Sequence, residues 1–243
     1  MPTSSPTMPD VRKRKQLTLV DYPTSDGKPM AETDDHRDLM IDLIQTLKLH
    51  RRTARRFYIS GNLLIYYEEG NRRKHVSPDV FVVEGVSKSR RRYYLLWEEK
   101  CSPSAAIELT SKSTGKEDLQ EKFQLYQDIL RIQEYFLFDP FAEYLNPPLQ
   151  GYRLKDGKYQ RIEPVDGRLP SLELGLHLER RGGELRFYDP LTGKYLPTLQ
   201  EARQAATARQ KKERSARRQA EAENNRLRRE IESLRRKPRN GST

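Results

Sequence analysis

One acid stands inside a stretch that should be buried. The run Ala105-Ala106-Ile107-Glu108-Leu109-Thr110-Ser111 is too apolar for an exposed edge strand, and a charge in such a strand ordinarily has a partner or a metal. A second buried-type run, Val80-Phe81-Val82-Val83, follows Ser77-Pro78-Asp79. Taken alone, an aspartate after proline at a strand start is a common surface feature. The two acids gain meaning from what comes next in the chain.

A helix is expected from Thr114-Gly115-Lys116-Glu117, a capping box with Thr followed three residues on by Glu, to about Leu130. At about 100° per residue, Leu119, Phe123, Leu125, Tyr126, Ile129 and Leu130 share one arc. Gln120, Glu121, Gln124, Gln127 and Asp128 lie opposite. Asp118 and Lys122 fall inside the apolar arc, four residues apart on one face. Two readings stand. Either the two form a buried ion pair, or the lysine snorkels at the edge; or Lys122 points at the cavity of Glu108. The second meets the needs of metal-dependent phosphodiester cleavage. Two carboxylates hold a hard cation through oxygen, the cation makes a nucleophile from water, and a lysine orients that water or offsets developing charge.

The remaining punctuation describes one α+β or α/β domain with a mixed sheet. Thr33 is a plausible N-cap for an amphipathic helix with Leu39, Met40, Leu43, Ile44 and Leu47 on one face, ending near His50. Strand-like runs follow at 57–59, 63–67, 80–86, 93–97 and 105–109, and Tyr135-Phe136-Leu137-Phe138 reads as a central strand. Beyond Pro147-Pro148, Asp156-Gly157 marks a hairpin, and Gly182-Gly183 and Thr192-Gly193 mark turns of a second ribbon.

These residues resemble the PD-(D/E)XK nuclease superfamily, and within it a large bacterial family of restriction-endonuclease-type proteins expanded in cyanobacteria. The resemblance is carried by Pro78-Asp79, Glu108-Leu109-Thr110-Ser111 with Thr114, then Asp118, Lys122 and Tyr126, then Glu134 to Pro140. It covers about Pro29 to Leu196, including Pro29-Met30-Ala31-Glu32-Thr33 and Pro147-Pro148-Leu149-Gln150-Gly151-Tyr152. It implies a restriction-endonuclease-like core, a mixed sheet flanked by helices, and Mg²⁺- or Mn²⁺-dependent DNA cleavage with Asp79 and Glu108 as metal ligands. The superfamily pattern would put lysine two residues after the second acid, where this chain has Thr110. The family supplies it from the next helix, as Lys122. Glu32 is a further acid carried over from the resemblance.

The implied function is a Mg²⁺-dependent endodeoxyribonuclease. Its alternatives are a non-catalytic DNA-binding or assembly module on the same fold, and a nuclease for RNA or branched DNA. Two carboxylates a few ångströms apart repel, so a divalent ion is expected to bind better as pH rises through their raised pKa values.

The net charge of +11 suggests a polyanionic partner, but it is unevenly placed. Residues 199–243 hold fourteen Lys or Arg against six Glu, so the basic excess belongs mostly to the tail. Residues 1–30 read as a flexible basic arm with Arg12-Lys13-Arg14-Lys15, 31–197 as the nuclease domain with C-terminal β-ribbons, and 198–243 as a helical tail. In that tail Leu227, Ile231 and Leu234 fit a short heptad seam. This leaves open a marginal coiled coil, and with it a homodimer, or a single helix held by charge pairs. One cysteine, Cys101, excludes an internal disulfide. No apolar run reaches the roughly 18 residues of a membrane span, so a soluble cytoplasmic protein is expected.

Overall fold

The computed structural model describes residues 22–25, 33–111, 115 and 117–236. Helix α1 (Asp34–His50) begins where expected. Thr33 is extended and its hydroxyl accepts from the His36 peptide N–H at 3.2 Å, with Asp34 and Asp35 in the first turn, where acids suit the helix dipole. Its buried face carries Met40, Leu43 and Leu47.

Strands β1 (Phe57–Ser60), β2 (Ile65–Tyr66), β3 (His75–Val76), β4 (Val80–Glu84) and β5 (Tyr94–Leu95) follow. β2 and β5 are shorter than their apolar runs suggest. They pair only at Ile65–Tyr94 and Tyr66–Leu95. Beyond that register Leu96 has no ladder partner, and the backbone closes a helical turn, α2 (Leu96–Glu99), with Lys100 N–H bonded to Leu96 C=O at 2.9 Å. Strands β6 (Ala105–Leu109) and β7 (Glu134–Phe138) are fully buried, and β8 (Leu149–Lys155) and β9 (Lys158–Arg161) form the hairpin marked by Asp156-Gly157. Both turn residues have positive φ, 50° and 82°, as the preferred two-residue hairpin turn requires.

One six-stranded sheet runs in the order β1-β4-β6-β7-β8-β9. It is mixed: β6 and β7 are parallel, and the other pairs antiparallel. The second ribbon does not extend this sheet. Strands β10 (Leu169–Ser171), β11 (Leu176–Arg181), β12 (Glu184–Asp189) and β13 (Lys194–Tyr195) make a separate four-stranded sheet. Its Leu176, Leu178, Leu185 and Phe187 join α1 in one core cluster against Ile59, Val80, Val82, Ile107 and Phe136. The alternate residues Tyr58, Phe81, Ala106, Tyr135 and Leu137 belong to a second cluster with Tyr126 and Leu130. The period-two alternation of strands thus sends each strand's side chains into two cores.

The segment after β6 departs from its expected winding. It is π-helical at Glu117–Lys122 and again at Leu125–Leu130. A wider turn rotates each residue by less than the 100° of an α-helix, so the inward face drifts. Leu119 and Ile129, expected inside, are exposed, whereas Gln127, expected outside, is buried. The inward line is Asp118, Lys122, Tyr126 and Leu130. Thr114, the expected cap, lies outside the described residues, as do the Arg12–Lys15 cluster and the rest of 1–21.

Helix α3 (Leu199–Arg236) has 38 residues, roughly 57 Å at 1.5 Å per residue. Leu227 and Ile231 of the expected seam are 46% and 51% exposed, so no described residues cover them as a coiled-coil partner; the Leu234 side chain is outside the described residues. Pairs such as Arg217–Glu221, at 2.9 Å, run along the helix. No described helix is long and apolar enough to cross a membrane.

Candidate active site

Strand register places the two acids. β4 and β6 are antiparallel with Val80 opposite Ile107 and Val82 opposite Ala105; one step further, Asp79 stands opposite Glu108. Directly opposed residues project on one side of a sheet with Cβ atoms about 5 Å apart. The hydrogen bonds agree. The Asp79 peptide N–H donates to Glu108 Oε2 at 3.3 Å, and the Leu109 N–H donates to Asp79 Oδ2 at 2.7 Å. Each carboxylate therefore reaches the other strand's backbone.

The approach is tight at Gly61. A Cβ built there would stand 1.9 Å from the Asp79 carbonyl oxygen and 2.7 Å from Ile44 Cδ1, so any side chain at position 61 must displace Asp79 or α1. Glycine is required by space, not by φ.

Glu108 is fully buried. Lys122 Nζ donates to its Oε2 at 2.8 Å and the Tyr126 hydroxyl to its Oε1 at 2.7 Å. Lys122 also lies 3.0 Å from Asp118 Oδ1. Both readings of this lysine are therefore realised at once: it is paired with Asp118 four residues back, and it reaches Glu108. Burial raises the Glu108 carboxyl most, Lys122 pulls it back, Asp79 and Asp118 raise it further, and the balance stands at about 8. Burial alone would lower the Lys122 ammonium, but Glu108, Asp118 and Asp79 together hold it well above the usual lysine range. The Tyr126 phenol is raised by burial and then by Glu108. Two acids, Glu108 and Asp118, thus share one lysine, with Asp79 next to Glu108.

His36 also belongs to the cluster. Its Nε2 donates to the Leu109 carbonyl at 2.9 Å and lies 3.3 Å from Asp79 Oδ2. A sequence signal existed: position 36 extends the buried 40-43-47 stripe of α1 by one turn. Glu32 lies outside the described residues.

The donor set fits a hard cation. Asp79, Glu108 and the Leu109 carbonyl offer oxygen only, and Mg²⁺ is commonly held by one or two carboxylates with waters completing the shell. Among the described residues no group of three or more His, Cys, Asp or Glu is arranged to hold a metal ion; Asp79 and Glu108 are the two carboxylates that could. An ionised carboxylate has about four lone-pair sites, which leaves Glu108 capacity beyond Lys122 and Tyr126.

The mixed six-stranded sheet with helices packed on it is a restriction-endonuclease-like core, to which this chain adds the long helix α3. The family model Uma2, described as "Putative restriction endonuclease", matches residues 14–186, and the chain belongs to that family. Its membership supports a nuclease. Among solved structures, a similar chain is described as a "putative nuclease belonging to DUF820" from Anabaena variabilis ATCC 29413, with 16% identity over 63% of this chain and 80% of that one, and a TM-score of 0.45. No curated protein matches the chain.

Proposed function

We propose that this protein is a divalent-metal-dependent endodeoxyribonuclease whose site is Asp79, Glu108 and Lys122. The observation that carries the reading is the register of β4 and β6, which sets Asp79 beside Glu108 in a cluster where Lys122 is shared between Glu108 and Asp118. A surplus of negative charge in a partly buried site favours a bound cation. Asp79 and Glu108 would hold Mg²⁺ or Mn²⁺, with the Leu109 carbonyl as a neutral ligand. Bound there, the ion supplies Lewis acidity toward the phosphate and a more acidic water.

The chain's own groups do the rest. Tyr126 fixes the Glu108 carboxylate from the buried side. Lys122, kept charged by its acids, orients the attacking water or offsets charge developing on phosphorus. His36 fixes the Leu109 carbonyl and the Asp79 carboxylate relative to each other. Residues 31–197 form the catalytic body in this reading. The basic residues 198–243 add phosphate contacts that strengthen DNA binding and steepen its salt dependence.

The rival is a DNA-binding scaffold without chemistry, favoured by the fact that Lys122 is already paired with Asp118 at 3.0 Å. Incubation with supercoiled plasmid and short duplexes in Mg²⁺ or Mn²⁺, beside Asp79→Ala, separates the two. The proposal expects nicking or linearisation that EDTA and Asp79→Ala both abolish. Cleavage that survives Asp79→Ala, or none with either metal on DNA, contradicts it. Parallel RNA and branched-DNA substrates test the substrate class.

A further inference from the structure

A second feature lies at the opposite flank of β4. Strand β1 is the edge of the six-stranded sheet and has a sheet neighbour on one side only. Along its open side runs a cleft of about 480 Å³ lined by Lys48, Arg51, Lys88, Arg90 and Arg91, with β1 as its floor. We propose that this cleft binds the sugar-phosphate backbone of the nucleic-acid strand beside the cleavage centre, through phosphate oxygens and without reading bases. The identity of that strand rests on the nuclease reading; the anion site rests on the cleft itself.

Charge is the first argument. Five cations line the cleft and no carboxylate does. Arg91 has a counterion, Glu99, whose Oε1 lies 2.5 Å from Nε. Among the described residues no carboxylate pairs with Lys48, Arg51, Lys88 or Arg90. Lys88 Nζ is set by the C-terminal carbonyls of Arg51 and Arg52, at 2.8 and 3.0 Å, and Arg51 by the Leu174 carbonyl at 2.5 Å. These bonds place the cations but leave their charge unbalanced. The Lys48 ammonium is held below the usual lysine range by partial desolvation and then by Arg90, as expected where like charges meet with no anion. A phosphate would supply it. Edge-strand peptide N–H groups that face away from β4 add donors to the floor.

The second argument is what the aromatic rings do. Phe57 and Tyr58 are the natural stacking platforms of this cleft, yet both are covered. The Arg51 guanidinium lies 4.8 Å from the Phe57 centroid and that of Arg91 4.2 Å from the Tyr58 centroid. Rings so occupied cannot stack on bases, the usual grip on unpaired nucleotides. Guanidinium groups fixed over rings present planar donors suited to phosphate.

The third argument is direction. Ser60 at one end of β1 pairs with Phe81, two residues from Asp79, and Phe57 at the other end pairs with Glu84. At about 3.3 Å per residue, the cleft begins roughly 7 Å from the acid along the sheet and extends roughly 10 Å further. A strand whose scissile phosphate lies at Asp79 would have its neighbouring phosphates over these cations.

The test uses the full chain carrying Asp79→Asn, so that binding is read without cleavage. Anisotropy of a labelled DNA duplex is followed across a salt series, with and without Lys48→Ala/Arg90→Ala; both side chains are exposed and outside the proposed machinery. Lys155→Ala/Lys158→Ala, at the opposite sheet edge, is the control. The proposal expects the cleft variant to bind about tenfold more weakly, with a log–log salt slope shallower by roughly 1.8 and an equal loss on duplexes of different sequence. The control should match the parent. An unchanged slope in the cleft variant, while the unmutated protein cleaves DNA, overturns the cleft and leaves the nuclease reading standing. A lost slope in a protein that cleaves nothing supports the cleft and overturns the nuclease reading. Displacement of the duplex by low-millimolar inorganic phosphate at constant ionic strength would overturn backbone occupancy in favour of a small-anion site.

Discussion

Two glutamates of adjacent parallel strands, Glu108 on β6 and Glu134 on β7, are both completely buried, yet their surroundings differ in kind. Glu134 sits at the start of its strand, where Arg153 Nε reaches Oε1 at 2.8 Å, the Leu172 and Glu173 N–H groups donate at 3.0 and 3.3 Å, and the Ser171 hydroxyl closes the shell. These partners come from β8 and from the chain around β10, so the glutamate ties the second sheet to the first. Glu108 shares its single lysine with Asp118 and has Asp79 as a further acidic neighbour. Burial alone does not mark a functional acid. The balance of charge around it does: Glu134 has a cation and donors to spare, and Glu108 competes for its cation.

The largest effect expected from this contrast is on activity. Glu108→Gln should reduce metal-dependent cleavage by at least roughly 10³-fold, the scale of losing a principal electrostatic group, while costing no more than about 1 kcal/mol in stability. Lys122 keeps Asp118 as a counterion at 3.0 Å in that variant, so the amide leaves no buried charge unpaired. A kinetic assay beside urea unfolding checks both halves, and a large stability loss would show that Glu108 is a structural acid like Glu134.

Glu134→Gln should do the reverse. It leaves Arg153, 23% exposed at its side chain, without its carboxylate, which should cost about 2–3 kcal/mol and little in rate per folded molecule. Lys122→Ala comes next, with cleavage falling about 10²-fold at near-unchanged metal affinity, because an ammonium is not a ligand. Calorimetric loss of metal binding in that variant would reassign the lysine.

Asp139, just after β7, extends the Glu134 side of the comparison. Burial alone would raise it, yet the N–H groups of Tyr144, Leu145, Glu143 and Phe141 outweigh that and hold it below its ordinary 3.8. Their bonds run from 2.9 to 3.2 Å. A depressed acid contributes stability above its unfolded pKa and loses it as pH falls through the folded one. Asp139→Asn should therefore cost about 1–2 kcal/mol at pH 7, with the gap to the parent closing toward pH 3 in urea titrations.

Glu108 and the Asp118–Lys122 pair were legible because each breaks a local rule, whereas Asp79 alone looks ordinary and gained meaning only beside them. Glu108 interrupts an apolar run, and Lys122 and Asp118 sit on an apolar helix face. The strand order and the hairpin at Asp156-Gly157 were legible from alternation and turn chemistry. What the sequence hid was non-local. The π-helical winding moves Leu119 and Ile129 outward and Gln127 inward, and the residue types there do not announce it. Nothing next to Glu134 in the chain announces the segment near Ser171 that folds onto it. The cation-lined cleft is assembled from three stretches, near residues 48–51, 57–60 and 88–91, none of them conspicuous alone.

If Asp79 and Glu108 together form a cation site, the protein must bind a divalent ion without any substrate. Titration calorimetry with Mn²⁺ on the full chain, backed by the paramagnetic resonance of free ion, compares the parent with Asp79→Asn, Glu108→Gln and Glu134→Gln. The account predicts saturable binding in the parent and in Glu134→Gln, and its loss in both Asp79→Asn and Glu108→Gln. Equal binding in all four proteins, or none in the parent, would contradict it.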